Sequence, residues 1–238
     1  MNSYQYAYVG SSWAVKSFDP PNLSVGKTPT SLAEQWNIPY ANLSQVMSSP
    51  LERISAVENY FSLHGKLPII WIYNEPIADV ERITGMPVLE FIQRSDWRSI
   101  WNECNQYCLD RINSLETPVL LIGGSTDVVD CNYSNITVGH VSWQKYLAVQ
   151  AGITVDQNTV YVKMDDGGDY AFNHCWAAEL MHKVIHENPK VTPSKEITDA
   201  IWDIFFFWEK LKTANLFYDA HPNYRATELF AKLLYPTP

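Results

Sequence analysis

Leu67-Pro68-Ile69-Ile70-Trp71-Ile72-Tyr73 is the stretch on which the fold turns. It has the length of a strand and is apolar almost throughout. A strand with one wet face alternates apolar and polar residues. A continuous apolar run is dry on both faces, as the central strands of parallel sheets are. Just upstream, Ser49-Pro50-Leu51-Glu52 has capping-box spacing with Pro at the first helical position. Leu51, Ile54, Val57 and Phe61 then share one face, and Gly65 supplies the C-terminal stop. Downstream, Trp97, Ile100, Trp101, Cys104, Cys108, Ile112 and Leu115 keep a helical period. Pro118 to Ile122 is another apolar strand, ended by Gly123-Gly124. Nearer the start, Tyr4 to Val9 reads as a strand running into Gly10-Ser11-Ser12. Ser31-Leu32-Ala33-Glu34 opens a short helix, and Ile38 to Leu43 is a further strand. Strands and helices that alternate in this way predict an α/β fold, a three-layer sandwich around a mostly parallel central sheet.

The second half reads as more helical. Trp143 to Ala151 is a modest helix, and Thr159 to Met164 has strand character. Trp176, Leu180, Val184 and His186 suggest a helix. Thr192-Pro193 opens another, with Ile197, Ile201, Ile204, Phe205, Trp208 and Leu211 as its stripe. A last helix is expected from about Pro222 to Leu234. No internal repeat or linker interrupts the chain. The expectation is therefore one domain over 1–238, with a helical elaboration at about 130–215.

Composition narrows the function classes. The chain has 238 residues, 46% hydrophobic and 18% charged, with 17 basic residues against 26 acidic ones and a net charge of -9. No Lys/Arg cluster interrupts that acidity, which argues against nucleic acid or an anionic membrane surface as partner. The N-terminus lacks the basic and apolar regions of a signal peptide, and no apolar run reaches the roughly 18 residues of a membrane span. A cytoplasmic location is the expectation. Cys104, Cys108, Cys131 and Cys175 form no CxxC pair and read as reduced core thiols. The 9 Trp and 14 Tyr suit either a generous core or an aromatic groove.

In a parallel α/β sheet, ligands bind beyond the carboxyl ends of the strands. The polar residues in those places are Ser11 and Ser12, Asn42 and Ser44, Asn74 and Glu75, and Ser125 to Asp127. Tyr218-Asp219-Ala220-His221-Pro222-Asn223 opens the last helix. The set contains a serine, a histidine able to take its proton, a carboxylate able to orient the imidazole, and an amide able to face an oxyanion.

These residues resemble the blocks of the GDSL/SGNH hydrolases, a family of esterases and lipases. Gly10-Ser11-Ser12-Trp13 matches the nucleophile block, with Ser11 in place of its Asp. Ala41 to Ser49 resembles the second block, with Met47 where a Gly is usual. Ile72-Tyr73-Asn74-Glu75 keeps the Asn of the third block but not its Gly or Asp. Gly124-Ser125-Thr126-Asp127 is the rival placement. Asp219-Ala220-His221-Pro222 resembles the last block, with the Asp one residue closer to the His. The match covers the first 125 residues and the last 20.

The resemblance implies a flavodoxin-like SGNH hydrolase fold and hydrolysis of a carboxylic ester through an acyl-enzyme. Ser12 would be the nucleophile, His221 the base, and Asp219 its orienting group. The N–H groups of Ser12 and Met47 and the Asn74 amide would hold the oxyanion. Trp13, Tyr73 and Tyr218 adjoin those positions and are expected to touch substrate. The family includes carbohydrate deacetylases, so an O-acetylated sugar is among the expected small-molecule substrates. No cofactor or metal is required.

Competing readings remain for several of these residues. Asp219 also suits an N-cap of the last helix. The altered second and third blocks are compatible with a catalytically silent binding module, and an acyltransferase would use the same residues. His182 and His186 have metal-ligand spacing but no Glu after His182. Asp165 to Asp169 lacks the ligand pattern of a calcium loop, and Gly123-Gly124-Ser125-Thr126 lacks the Lys of a phosphate loop.

Overall fold

The computed structural model describes residues 4–11, 14, 31–46, 48–74, 79–124, 128, 131–140, 142–152, 161–163, 169–171, 186–193, 195, 208–218 and 221–234. The elements up to the fourth strand are β1 (Tyr6–Val9), α1 (Leu32–Gln35), β2 (Tyr40–Asn42), α2 (Pro50–His64), β3 (Ile69–Tyr73), α3 (Val80–Thr84), α4 (Val88–Phe91), α5 (Trp97–Asn113) and β4 (Val119–Gly123). Then come β5 (Ile136–His140), α6 (Trp143–Gln150), β6 (Tyr161–Lys163), β7 (Asp169–Ala171), β8 (Phe217–Tyr218), β9 (His221–Pro222) and α7 (Tyr224–Leu233).

Five strands form one sheet in the order β2-β1-β3-β4-β5, and every pairing in it is parallel. β3 is the middle strand, and all five of its residues are buried. Its side chains divide between two apolar layers. Ile70 and Ile72 join Tyr8, Ile122 and residues of α1, α6 and α7. Ile69, Trp71 and Tyr73 join Ala7, Val9, Val119 and Leu121 under α2 and the later turns of α5. Helices therefore cover both faces, and the chain is an α/β protein with a mostly parallel sheet.

Prolines set the amino edge of that sheet. Pro39, Pro68 and Pro118 each stand immediately before a strand or one residue short of its first paired position, where no N–H is needed. Their carbonyls are nevertheless used: Gln5 donates to Pro39, Ala7 to Pro68 and Ile69 to Pro118, at 3.0, 2.9 and 2.8 Å. This is why β2, β3 and β4 begin one or two residues later than the apolar runs suggested.

Both expected capping boxes are present. Ser31 accepts from the Glu34 N–H and Ser49 from that of Glu52, and each Glu carboxylate returns to its serine N–H. The head of α2 has a further acceptor, the buried Asp79 carboxylate, which takes the Leu51 N–H at 3.0 Å. Hydrogen bonds from the Ser49 N–H and Arg82 hold the Glu52 carboxyl below its ordinary pKa.

The region from residue 130 differs from the expected helical elaboration. It begins with β5, a fifth strand of the same sheet, followed by α6, whose Leu147 and Ala148 are core residues. Ile136-Thr137-Val138-Gly139-His140 mixes apolar, polar and glycine positions because it is an edge strand. Gly139 falls at a register shift, where Leu121 pairs with Val138 and Ile122 with His140. The strand expected over 159–164 is present as β6, paired antiparallel with β7 in a separate two-stranded sheet.

The expected core aromatics Trp97, Trp101 and Trp208 are buried, and so are Trp36, Trp71 and Trp143. Cys104 and Cys108 are buried free thiols, and burial raises the thiol pKa of Cys104 to about 11. Among the described residues no helix is long and apolar enough to cross a membrane.

Because Ser49 satisfies one helix donor and fixes the entry into α2, Ser49→Ala is expected to cost about 1 kcal/mol of stability. Urea unfolding at pH 7 measures it. A loss below a few tenths of a kcal/mol would mean that Asp79 alone caps the helix.

Candidate functional site

In the order β2-β1-β3-β4-β5, successive connections leave β1 in opposite directions. The crevice between the carboxyl ends of β1 and β3 is the topological switch point, where α/β proteins of this kind bind ligands. Ser11 and Asn74 meet there. Both are buried, and the Asn74 side-chain amide donates to Ser11 Oγ. The turn after β1 is closed by a 2.9 Å bond from the Ala14 N–H to the Ser11 carbonyl. Ser12 and Trp13, the expected nucleophile and its neighbour, fall between these two anchors in sequence and lie outside the described residues.

Two glycines make the close approach workable. A Cβ on Gly10 would stand 2.4 Å from the Ala14 Cβ and 3.1 Å from the Ile72 Cβ. A Cβ on Gly124 would stand 2.4 Å from Asn74 Oδ1 and 3.0 Å from the Tyr73 carbonyl oxygen. Gly124 is also bonded into the frame. Its N–H donates to the Tyr73 carbonyl at 2.8 Å, and its carbonyl accepts from the Gln144 N–H at 3.3 Å. Gly124, the first residue of the rival third block, thus proves to be a neighbour of Asn74 and leaves the space its side chain occupies, while Ser125, Thr126 and Asp127 lie outside the described residues.

The loop after β2 comes to the same edge. Leu43 donates to the Tyr8 carbonyl at 2.9 Å and Gln45 to the Gly10 carbonyl at 3.0 Å, while Ser44 Oγ reaches the Tyr8 carbonyl at 3.3 Å. Met47, the expected oxyanion residue of this loop, lies outside the described residues. Its neighbour Val46 is exposed and Ser48 is half-buried.

His221 stands in β9, half-buried, paired with Tyr218 of β8. Tyr218, expected to touch substrate, is exposed. Asp219 lies outside the described residues. The cap of the last helix is Asn223, whose side chain accepts from the Ala226 N–H at 3.0 Å, so the capping role considered for Asp219 is filled by another residue. Asn223 Nδ2 also donates to the Asn215 carbonyl at 3.0 Å, and its N–H to the Leu216 carbonyl at 2.9 Å. These bonds lock the hairpin to the head of α7.

The direction of α7 follows from its contacts. Phe230 packs edge-on against His140 at the carboxyl end of β5, and the Leu234 side chain approaches Gly139, one residue back. The Ala231 carbonyl accepts from Trp36 Nε1, in the segment leading into β2. The helix therefore runs back along the strands, with its head directed toward their carboxyl ends.

Tyr73 requires a correction. It was expected at the substrate, but it is fully buried between the sheet and α5, and its hydroxyl donates to Asn105 Oδ1 at 2.7 Å. Burial pushes its pKa far up. Alternation explains the error: Asn74 leaves the strand at its end, whereas Tyr73 is still in register with Gly123 and faces the helix layer.

Gln144 was not anticipated here, and Ser11 and Gly124, though expected at the strand ends, were not expected as the neighbours of Asn74. Gly123-Gly124 was legible as a strand stop, but nothing local shows that the second glycine faces an asparagine 50 residues earlier.

No protein-family model matches the chain, and no curated protein or solved structure matches it either. The class that the fold itself defines is an α/β protein with a mostly parallel five-stranded sheet and a polar cluster at its switch point.

Gly124→Ala must displace either Asn74 or the end of β4, and overpacking of this kind typically costs about 1–3 kcal/mol. Urea unfolding reports the loss, and a shift of the Asn74 side-chain amide resonances reports its site. A variant with wild-type stability and unshifted amides would mean that Gly124 does not set the position of Asn74.

Proposed function

We propose that this chain is a serine hydrolase of the SGNH type that cleaves carboxylic esters of small molecules, O-acetylated sugars among them. The observation that carries the reading is the Asn74–Ser11 hydrogen bond at the switch point, directly beside Ser12 in sequence. It supports a role for the family's first and third blocks at one place. The direction of α7, whose head faces the same edge, supports the role of the last block.

In this reading Ser12 Oγ attacks the ester carbonyl carbon as His221 takes its proton. The tetrahedral oxyanion is held by the N–H groups of Ser12 and Met47 and by the Asn74 amide. Collapse breaks the bond to the leaving oxygen, which receives the proton from His221. Water, activated by the same imidazole, then attacks the acyl-enzyme and releases the acid. Asp219 orients His221. Ser11, where the family has Asp, holds the Asn74 amide in place. An acyltransferase would differ only in replacing water by an acceptor alcohol.

Treatment with a fluorophosphonate probe tests the nucleophile. The expected result is labelling of Ser12 alone, abolished in Ser12→Ala and in heat-denatured protein. Asn74→Ala is expected to slow p-nitrophenyl acetate turnover by about 10²–10³-fold. Folded wild-type protein that is neither labelled nor active would exclude the hydrolase and leave the binding-module reading.

A further inference from the structure

Arg53 is buried to 1% exposure in the first turns of α2, yet few of its donors are used among the described residues. Its Nη2 donates to the Ser48 carbonyl at 2.7 Å. Its Nε and Nη1 have no hydrogen-bond partner among the described residues. The buried carboxylate nearby, Asp79, is engaged by the Leu51 N–H and by Arg82 Nη1 at 3.0 and 3.3 Å. Burial lowers the Arg53 pKa to about 10, against the influence of Tyr73, Asp79 and Cys108, so the side chain is still a cation at neutral pH. Desolvating a guanidinium and leaving two of its donor nitrogens unsatisfied is unfavourable, and an apolar side chain of similar volume is generally as stable or more so. Stability does not account for an arginine at this position, but the bond to Ser48 does offer an account.

That bond ends on a loop with two anchors. At one end Gln45 N–H is tied to the Gly10 carbonyl, the residue that leads into Ser11-Ser12. At the other end the Ser48 carbonyl is tied to Arg53. Ser48 Oγ closes the span by donating to the Gln45 carbonyl at 2.8 Å. Only residues 46 and 47 lie between the anchors in sequence, and Met47 lies outside the described residues. Arg53 reaches the loop from inside the core, where α2 holds it rigidly.

We infer that Arg53 is a positioning residue that clamps Ser48 and, through Ser48 and Gln45, the loop after β2 against Gly10 at the edge of the proposed site. This rests on the hydrolase reading for its effect on turnover, but the clamp itself does not. Misplacing a group of such a site by about 1 Å can cost on the order of 10²-fold in rate without weakening ground-state binding.

Arg53→Met and Arg53→Lys test it by three measurements: urea stability, amide exchange over residues 43–49, and p-nitrophenyl acetate kinetics. Arg53→Met is expected to be at least as stable as wild type. Its Gln45 amide should exchange about tenfold faster or more, and its kcat should fall about 10–100-fold with KM within about threefold. Arg53→Lys, which keeps one donor, should recover part of the kcat. Unchanged exchange and kcat in Arg53→Met would overturn the inference. So would a loss of stability with Arg53→Lys no better than Arg53→Met. If Arg53→Met does not fold, Ser48→Ala removes only the closure to Gln45. Faster Gln45 exchange and lower kcat at wild-type stability would then support the clamp, and wild-type behaviour would overturn it. A wild-type protein that no fluorophosphonate labels sinks the hydrolase reading alone, since exchange still reports the clamp.

Discussion

Everything in this molecule is arranged around a strand that has no wet face. Ile69 to Tyr73 are buried without exception. Removing such side chains from water is worth roughly 2 kcal/mol each, and it can be realised only if strands flank β3 on both edges and helices cover both faces. Parallel neighbours and crossover helices are the solution that the sequence order permits. Once β3 lies between β1 and β4, the carboxyl end of β1 must open into a crevice. Asn74, the first polar residue after the buried run that the structure describes, reaches that crevice. The polar cluster is thus a consequence of where the apolar run stops.

The same geometry explains the glycines and the cost of the site. Ser11 and Asn74 are buried polar residues and must satisfy each other. A side chain at Gly124 would collide with Asn74 itself, and one at Gly10 with Ala14 and Ile72 beside the pair. Tight packing around a small polar pair leaves little room for relaxation, so the site is held by its walls as much as by its hydrogen bonds. On the proposed reading, that rigidity serves preorganisation: an amide fixed before substrate arrives need not reorganise in the transition state. Arg53 would be a further case, an unfavourable buried charge kept because it positions a loop.

Much of this was legible in the chain. Capping boxes at Ser31 and Ser49, the Gly65 stop and the two long apolar strands carry local signals strong enough to be read without a partner. β5 was not legible, because an edge strand with one neighbour need not be apolar on both faces, and its Gly139 serves a bulge that only the register with β4 reveals. Tyr73 was assigned to the wrong side for a related reason. Adjacency to Asn74 in sequence places it near in space, but strand alternation turns it toward the opposite layer.

The sequence by itself determined the α/β class, the order of the four strands through β4 with α1, α2 and α5 between them, and the short set of polar residues available at the strand ends. These follow from hydrophobic period and from capping and turn chemistry, which act within a few residues. Only the tertiary structure decided that Asn74 meets Ser11, that Gly124 makes room for it, that Asn223 caps the last helix while His221 stands ahead of it, and that Arg53 grips Ser48 from the core. Most of these join residues from separate elements, and the Asn74–Ser11 contact spans 63 positions. No local propensity encodes such a meeting. It arises when burial on both faces of one strand fixes the strands beside it.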